Sequence, residues 1–177
     1  RSCILFGDGA GALAIEATSE FDNLIGFDMQ TDGGRGSFLN LPSKNNKDSI
    51  IDNIDFLNGG FSPIQMNGQE VYKFAVKEVP IILDKLFRKT NYSSDEVDWL
   101  VLHQANQRIL DSVGERLKIP RDKILSNLEK YGNTSAATIP LMMDEAIRNH
   151  SIKQNDIIAT SGFGAGLSWG AALFRWG

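Results

Sequence analysis

The chain has 177 residues, 42% of them hydrophobic and 23% charged, a balance that fits a folded globular domain rather than a disordered or fibrous one. Eighteen Lys and Arg against 22 Asp and Glu leave a formal charge of −4, which argues against the basic face of a nucleic-acid binder. A single cysteine, Cys3, excludes an internal disulfide, and the two histidines, His103 and His150, are too far apart for a zinc motif. No apolar run reaches the roughly 18 residues that would suggest a membrane span.

The chain opens on Arg1-Ser2-Cys3, inside an apolar run, with no initiator Met and no signal peptide. It therefore reads as a truncated piece of a longer protein. Cys3-Ile4-Leu5-Phe6 reads as a buried strand, and Cys3 as an inert core thiol. Gly7-Asp8-Gly9-Ala10-Gly11-Ala12 follows, then a second apolar run, Leu13 to Ala17, that reads as another strand. Leu24 to Thr31 is a third candidate. Asp32 to Ser49, rich in Gly, Asn and Lys and holding Pro42, reads as a long solvated loop.

Val71, Phe74, Ala75, Val79, Ile82, Leu83 and Leu86 recur at helical spacing, so a long amphipathic helix is expected, kinked at Pro80. Ser93 to Glu96 has the chemistry of a turn or helix entry. Trp99-Leu100-Val101-Leu102 reads as a central strand. Ala105 to Leu117 returns to helical spacing and stops before Pro120, and Ala136 to Asn149 is a further helix. Asp156 to Thr160 and Leu167 to Trp176 read as the last two strands. This order predicts an α/β domain, a mixed sheet with helices on its faces.

Two glycine clusters sit where a phosphate loop could, Gly7 to Gly11 and Gly162 to Gly166. A dinucleotide fingerprint needs a helix next, and each cluster is instead followed by an apolar, strand-like run. Each fits a tight turn needing positive φ, or a place where backbone comes close to a reacting group. His103 ends a buried strand, a position that faces ligands in α/β folds, although a lone histidine there is also compatible with a structural role. In Gly132-Asn133-Thr134-Ser135-Ala136-Ala137 the hydroxyl residues suit helix capping, while Asn133 could turn its amide into a cleft. If the helices that follow His103 and Asn133 lie side by side, the two polar groups converge. Residues 108 to 123 are slightly basic, with Arg108, Arg116, Lys118, Arg121 and Lys123, and suit a solvated face or an acidic partner.

Five stretches together resemble the C-terminal half of the β-ketoacyl-acyl-carrier-protein synthase III family of thiolase-fold condensing enzymes. They are Phe6 to Ala12, Val71 to Val76, His103-Gln104-Ala105-Asn106, Gly132 to Ala137, and Gly162 to Gly170, in the family's order across nearly the whole chain. Chalcone-synthase-like relatives are similar in fold without this combination. The resemblance implies a thiolase-like α/β fold with a mixed five-stranded sheet, residues 1–177 forming the C-terminal half of a pseudo-duplicated fold. It implies a Cys-His-Asn site whose nucleophilic cysteine lies upstream of this chain, so that the isolated chain would be inactive. His103 and Asn133 match the catalytic histidine and asparagine. Phe163, Gly164, Ala165 and Gly166 match the loop that shapes the acyl site, with the Ala165 N–H in an oxyanion hole. Arg108 and Lys73 match basic positions linked to carrier-protein docking.

The implied reaction joins an acetyl group from acetyl-CoA to malonyl-acyl carrier protein, releasing coenzyme A and carbon dioxide. No cofactor or metal is called for beyond the coenzyme A thioester substrate. The implied partners are acyl carrier protein, acetyl-CoA and a second subunit of a homodimer, in the cytoplasm, with no nucleic acid and no membrane. A sibling enzyme with a longer, branched or polyketide starter, and a non-catalytic lobe that only binds a partner, are the competing expectations.

Overall fold

The computed structural model of the chain describes residues 2–17, 22–42, 47–51, 54–57 and 62–177. In chain order its elements are β1 (Leu24–Thr31), the two-residue β2 (Leu39–Asn40), β3 (Lys47–Ile51), β4 (Ile54–Leu57), β5 (Gln65–Met66) and helix α1 (Gly68–Thr90). Then come β6 (Trp99–Leu102), α2 (Gln107–Leu117), the single turn α3 (Leu128–Tyr131), α4 (Thr138–Arg148), β7 (Ile157–Gly164) and β8 (Ser168–Arg175).

The main sheet has the order β1-β8-β7-β6. β6 and β7 run parallel, joined by the crossover through α2, α3 and α4, while β8 is antiparallel to both β7 and β1. Alternation along β6 assigns the two faces. Leu100 and Leu102 belong to the core under α1 and α2, and Val101 to the core under α4. Register carries the assignment across the sheet: Leu100 pairs with Ala159, which pairs with Leu173 on the α1 side. Val101 pairs with Thr160, Thr160 with Ala172 and Ala172 with Phe27 on the α4 side. The sheet is thus the middle of three layers.

Helix α1 forms where its periodicity predicts, with Phe74, Ile82, Leu83 and Leu86 on the buried stripe. The Asn67 side chain accepts the Glu70 N–H at 3.3 Å to cap its start, and Asn91 ends it in the left-handed conformation at φ 57°. The helix runs through Pro80 as one element. Proline removes the N–H that would have reached the Val76 carbonyl one turn back. The Arg116 guanidinium, reaching over from α2, donates to that carbonyl instead.

Two expected strands are absent. Ser2–Leu5 forms a 3₁₀ turn rather than a strand, and Phe6 makes only an isolated parallel bridge to Asn133. Leu13 to Ala17 has no regular structure, with Leu13 and Ile15 exposed. The main sheet accordingly has four strands among the described residues, not five. An apolar run becomes a strand only where a neighbour supplies a continuous set of ladder partners, and for the first run Asn133 supplies a single bridge at Phe6. The supposed loop from Asp32 to Ser49 holds more structure than expected: a 3₁₀ turn, Gly33–Phe38, then β2 paired with β5, and the start of β3. Residues 43–46 of that stretch, and the side chain of Cys3, lie outside what is described. Among the described residues no helix is long and apolar enough to cross a membrane, and no group of His, Cys, Asp and Glu could hold a metal.

Candidate active site

The parallel pair β6 and β7 ends side by side, and ligands of α/β sheets bind outside such carboxyl ends. His103 follows the last residue of β6, and its N–H reaches the Ser161 carbonyl at 2.9 Å, so the ladder continues to the histidine itself. Gln104 is fully buried. Its Nε2 donates to the Leu102 carbonyl at 2.8 Å and its Oε1 accepts the Asn127 N–H at 3.3 Å. Asn106 caps α2 by accepting the Arg108 N–H at 2.9 Å. The strand end, the turn and the helix start are therefore each fixed by a residue of His-Gln-Ala-Asn.

The His103 ring lies edge-on to Phe163, with centroids 5.3 Å apart and planes at 82°. Its Nδ1 is 2.7 Å from the Thr138 hydroxyl oxygen. Burial disfavours the charged imidazolium and pushes the His103 pKa down to about 4, so the ring is neutral at pH 7.

Asn133 is held by two backbone bonds to the N-terminal segment: Gly7 N–H to the Asn133 carbonyl at 2.9 Å, and Asn133 N–H to the Leu5 carbonyl at 3.2 Å. A Cβ on Gly7 would collide with the Tyr131 carbonyl oxygen, so this approach requires glycine. The Asn133 side-chain oxygen accepts the Ser135 N–H at 2.9 Å. That bond fixes which way the amide points and leaves its NH₂ as the group to meet a ligand.

The second glycine cluster is a hairpin. β7 ends at Gly164, β8 begins at Ser168, and Gly166 between them sits at φ +135°, where an added Cβ would lie 2.7 Å from the Ser168 Oγ. Phe163 leans on Phe74 of α1 with ring centroids 6.1 Å apart, tying the hairpin to the helix layer.

These elements surround one cavity of about 670 Å³. His103, Asn133, Phe163, Gly164 and Ala165 all line it; Gly166 does not. Among the described residues its lining has no Asp, Glu, Lys or Arg, and the apolar side chains of Leu39, Leu41, Ile64, Met66 and Val71 form much of the wall. Arg108 and Lys73 stand outside the lining. Arg108 is exposed, with its guanidinium 5.0 Å from the ring centroid of the lining residue Tyr72. Lys73 is exposed and paired with Glu70 at 2.7 Å. Other cations of the basic stretch bond within the chain, Arg116 to Val76, Arg121 to Asp111 at 3.2 Å, and Lys123 to the Val97 carbonyl at 2.7 Å.

Sequence reasoning missed two parts of this site. The apolar wall from β2 and β5 was masked by the polar residues around Leu39, Leu41 and Met66. Thr138 carries no signal in the sequence beyond membership of a helix, although a hydroxyl residue at a helix start can also reach a neighbouring side chain.

The fold places the chain in the thiolase-like class. It superposes on 3-oxoacyl-[acyl-carrier-protein] synthase III from Aquifex aeolicus VF5 with a TM-score of 0.84 at 34% identity, covering 99% of this chain and 51% of that one. The Thermus thermophilus β-ketoacyl-[acyl-carrier-protein] synthase III matches with a TM-score of 0.77 at 31% identity, over 99% of this chain and 53% of that one. The family model for the 3-oxoacyl-[acyl-carrier-protein] synthase III C-terminal region matches residues 87–176, and the model named for the synthase III itself matches residues 1–33. In sequence, the β-ketoacyl-[acyl-carrier-protein] synthase III of Prochlorococcus marinus strain MIT 9215 is 92% identical over 177 residues, all of this chain and 53% of that protein. The chain belongs to the β-ketoacyl-[acyl-carrier-protein] synthase III family, and it spans about half the length of the curated relatives it matches.

Proposed function

We propose that this chain carries the His/Asn half of the active site of an acyltransferase that starts fatty acid synthesis, with the nucleophilic cysteine supplied from upstream. The reaction is a decarboxylative Claisen condensation. Acetyl-CoA acylates the cysteine and coenzyme A leaves. Malonyl-acyl carrier protein then loses carbon dioxide, and the electron pair of the broken C–C bond becomes an enolate. The enolate carbon attacks the acetyl thioester, the cysteine thiolate leaves, and the product is acetoacetyl-acyl carrier protein. No further cofactor is needed.

The observation that carries this reading is that His103 and Asn133 line one cavity whose described lining has no charged side chain. A neutral imidazole and a carboxamide NH₂ can both donate to the enolate oxygen, with no neighbouring carboxylate to oppose the developing negative charge. The Ala165 N–H, on the β7–β8 hairpin in the same cavity, serves as an oxyanion donor for the acetyl thioester. Arg108 at the rim receives the acidic carrier protein, with Lys73 as a weaker contributor because Glu70 already engages it. The working form is a cytoplasmic homodimer of the longer polypeptide.

In the full-length protein, His103→Ala and Asn133→Ala should each lower malonyl decarboxylation by about 10²–10³-fold while cysteine acylation survives in part. Normal condensation rates in either variant overturn that residue's role. Arg108→Glu should raise KM for malonyl-acyl carrier protein more than KM for acetyl-CoA, and equal effects on both remove the docking assignment.

A further inference from the structure

A neutral imidazole has one N–H, and the nitrogen that carries it decides whether the ring meets a ligand as donor or acceptor. The surroundings of His103 bear on this choice. Thr138, the first residue of α4, is only 2% exposed. Its hydroxyl oxygen lies 2.7 Å from His103 Nδ1 and 3.0 Å from the Ser135 carbonyl oxygen. The hydroxyl has a single hydrogen for these two acceptor positions. The Ser135 carbonyl already accepts the backbone N–H of Thr138 and can do without it. Nδ1 faces the hydroxyl at the shorter distance and, when unprotonated, relies on it as donor.

We propose that Thr138 is a positioning residue: it gives its hydroxyl hydrogen to Nδ1 of His103 and so fixes the ring as the Nε2–H tautomer, with that N–H as the donor offered to the cavity. The pairing has a second half in the same turn. The Ser135 N–H holds the Asn133 side-chain oxygen at 2.9 Å, which turns the carboxamide so that it too offers hydrogen. One short segment, residues 133 to 138, thus sets the sense of both hydrogen bonds. In the opposite tautomer the imidazole would present a lone pair to an anionic oxygen, which repels it. Phe163, edge-on to the ring, limits rotation that would exchange the two nitrogens.

This inference rests on the donor role proposed above, and the experiment separates the two. Histidine labelled with ¹⁵N in the full-length protein, with the His103 signals assigned by their loss in His103→Gln, should show at pH 7 a protonated Nε2 and an unprotonated, hydrogen-bonded Nδ1. Thr138→Val keeps the shape and removes the hydroxyl. It should shift the tautomer away from Nε2–H and lower kcat for malonyl decarboxylation about 10–100-fold, with KM for the carrier-bound substrate and the rate of cysteine acylation little changed. Thr138→Ser should restore both the spectrum and the rate. A wild-type spectrum showing protonated Nδ1 overturns the proposal, and does so even if the valine variant fails to fold. An unchanged tautomer in Thr138→Val overturns it as well. Should the tautomer shift while decarboxylation runs at the wild-type rate, Thr138's control of the ring stands and the donor role of His103 falls.

Discussion

The sheet has two faces of the same strands and very different cover. Under α1 and α2 the inward residues Leu100, Ala159 and Leu173 are all solvent-free, and α1 packs on β1, β7 and β8 together. Under α4 the cover is confined to one side. Val101 and Ile158 are fully buried beneath Met142, Met143 and Ala146, but Phe27 is 55% exposed and Met29 76% on β1 at the far edge. Strand pattern alone does not distinguish these positions. Burial depends on whether a helix of sufficient length lies above, and α1 has 23 residues where α4 has 11.

The contrast can be broken by substitution. Leu83→Ala, in the fully covered face, should cost about 2–5 kcal/mol in denaturant unfolding, through lost transfer energy and the cavity left behind; a loss below 1 kcal/mol would mean that this layer relaxes far more than its packing implies. Gly166→Ala, at the hairpin beyond both faces, should cost about 1–3 kcal/mol because φ +135° is open essentially to glycine only; an unaltered melting temperature contradicts the assigned backbone. His103 adds a pH term with a defined sign. Its pKa lies near 4 in the folded chain against 6.5 ordinarily, so the unfolded state takes up the proton first as pH falls. This group therefore removes stability between about pH 6.5 and 4 and none above that window. Melting temperatures of the native chain should drop more steeply across it than those of His103→Asn, and parallel curves would show that the ring is not shielded. Met29→Ser, on the open edge, should change the stability of this chain by less than about 0.5 kcal/mol; a larger loss would show that this edge is covered after all.

The same contrast explains what could be read from the sequence. The strands at Trp99–Leu102, Leu24–Thr31 and the C-terminal hairpin were legible because burial imposes either a continuous apolar run or an alternation on them. Helix α1 was legible from its repeat, and the motif residues His103 and Asn133 were legible because each stands where an element begins or ends. Ile4, Leu5, Leu13 and Ile15 are not in strands, since apolar character records an expectation of burial and not the presence of a neighbouring strand to pair with along its length. Thr138 stayed hidden for another reason: its contact to His103 spans 35 residues and depends on how α4 docks against the end of β6.

Pro80 and Arg116 form one linked unit, although they lie on different helices. The proline creates a vacant acceptor at Val76 and the arginine occupies it, so neither substitution acts alone. Pro80→Ala would hand Val76 back an amide partner from its own helix and make Arg116 dispensable there. A change at position 116 is therefore mild or damaging according to what stands at 80, and the two positions constrain each other as the sequence drifts.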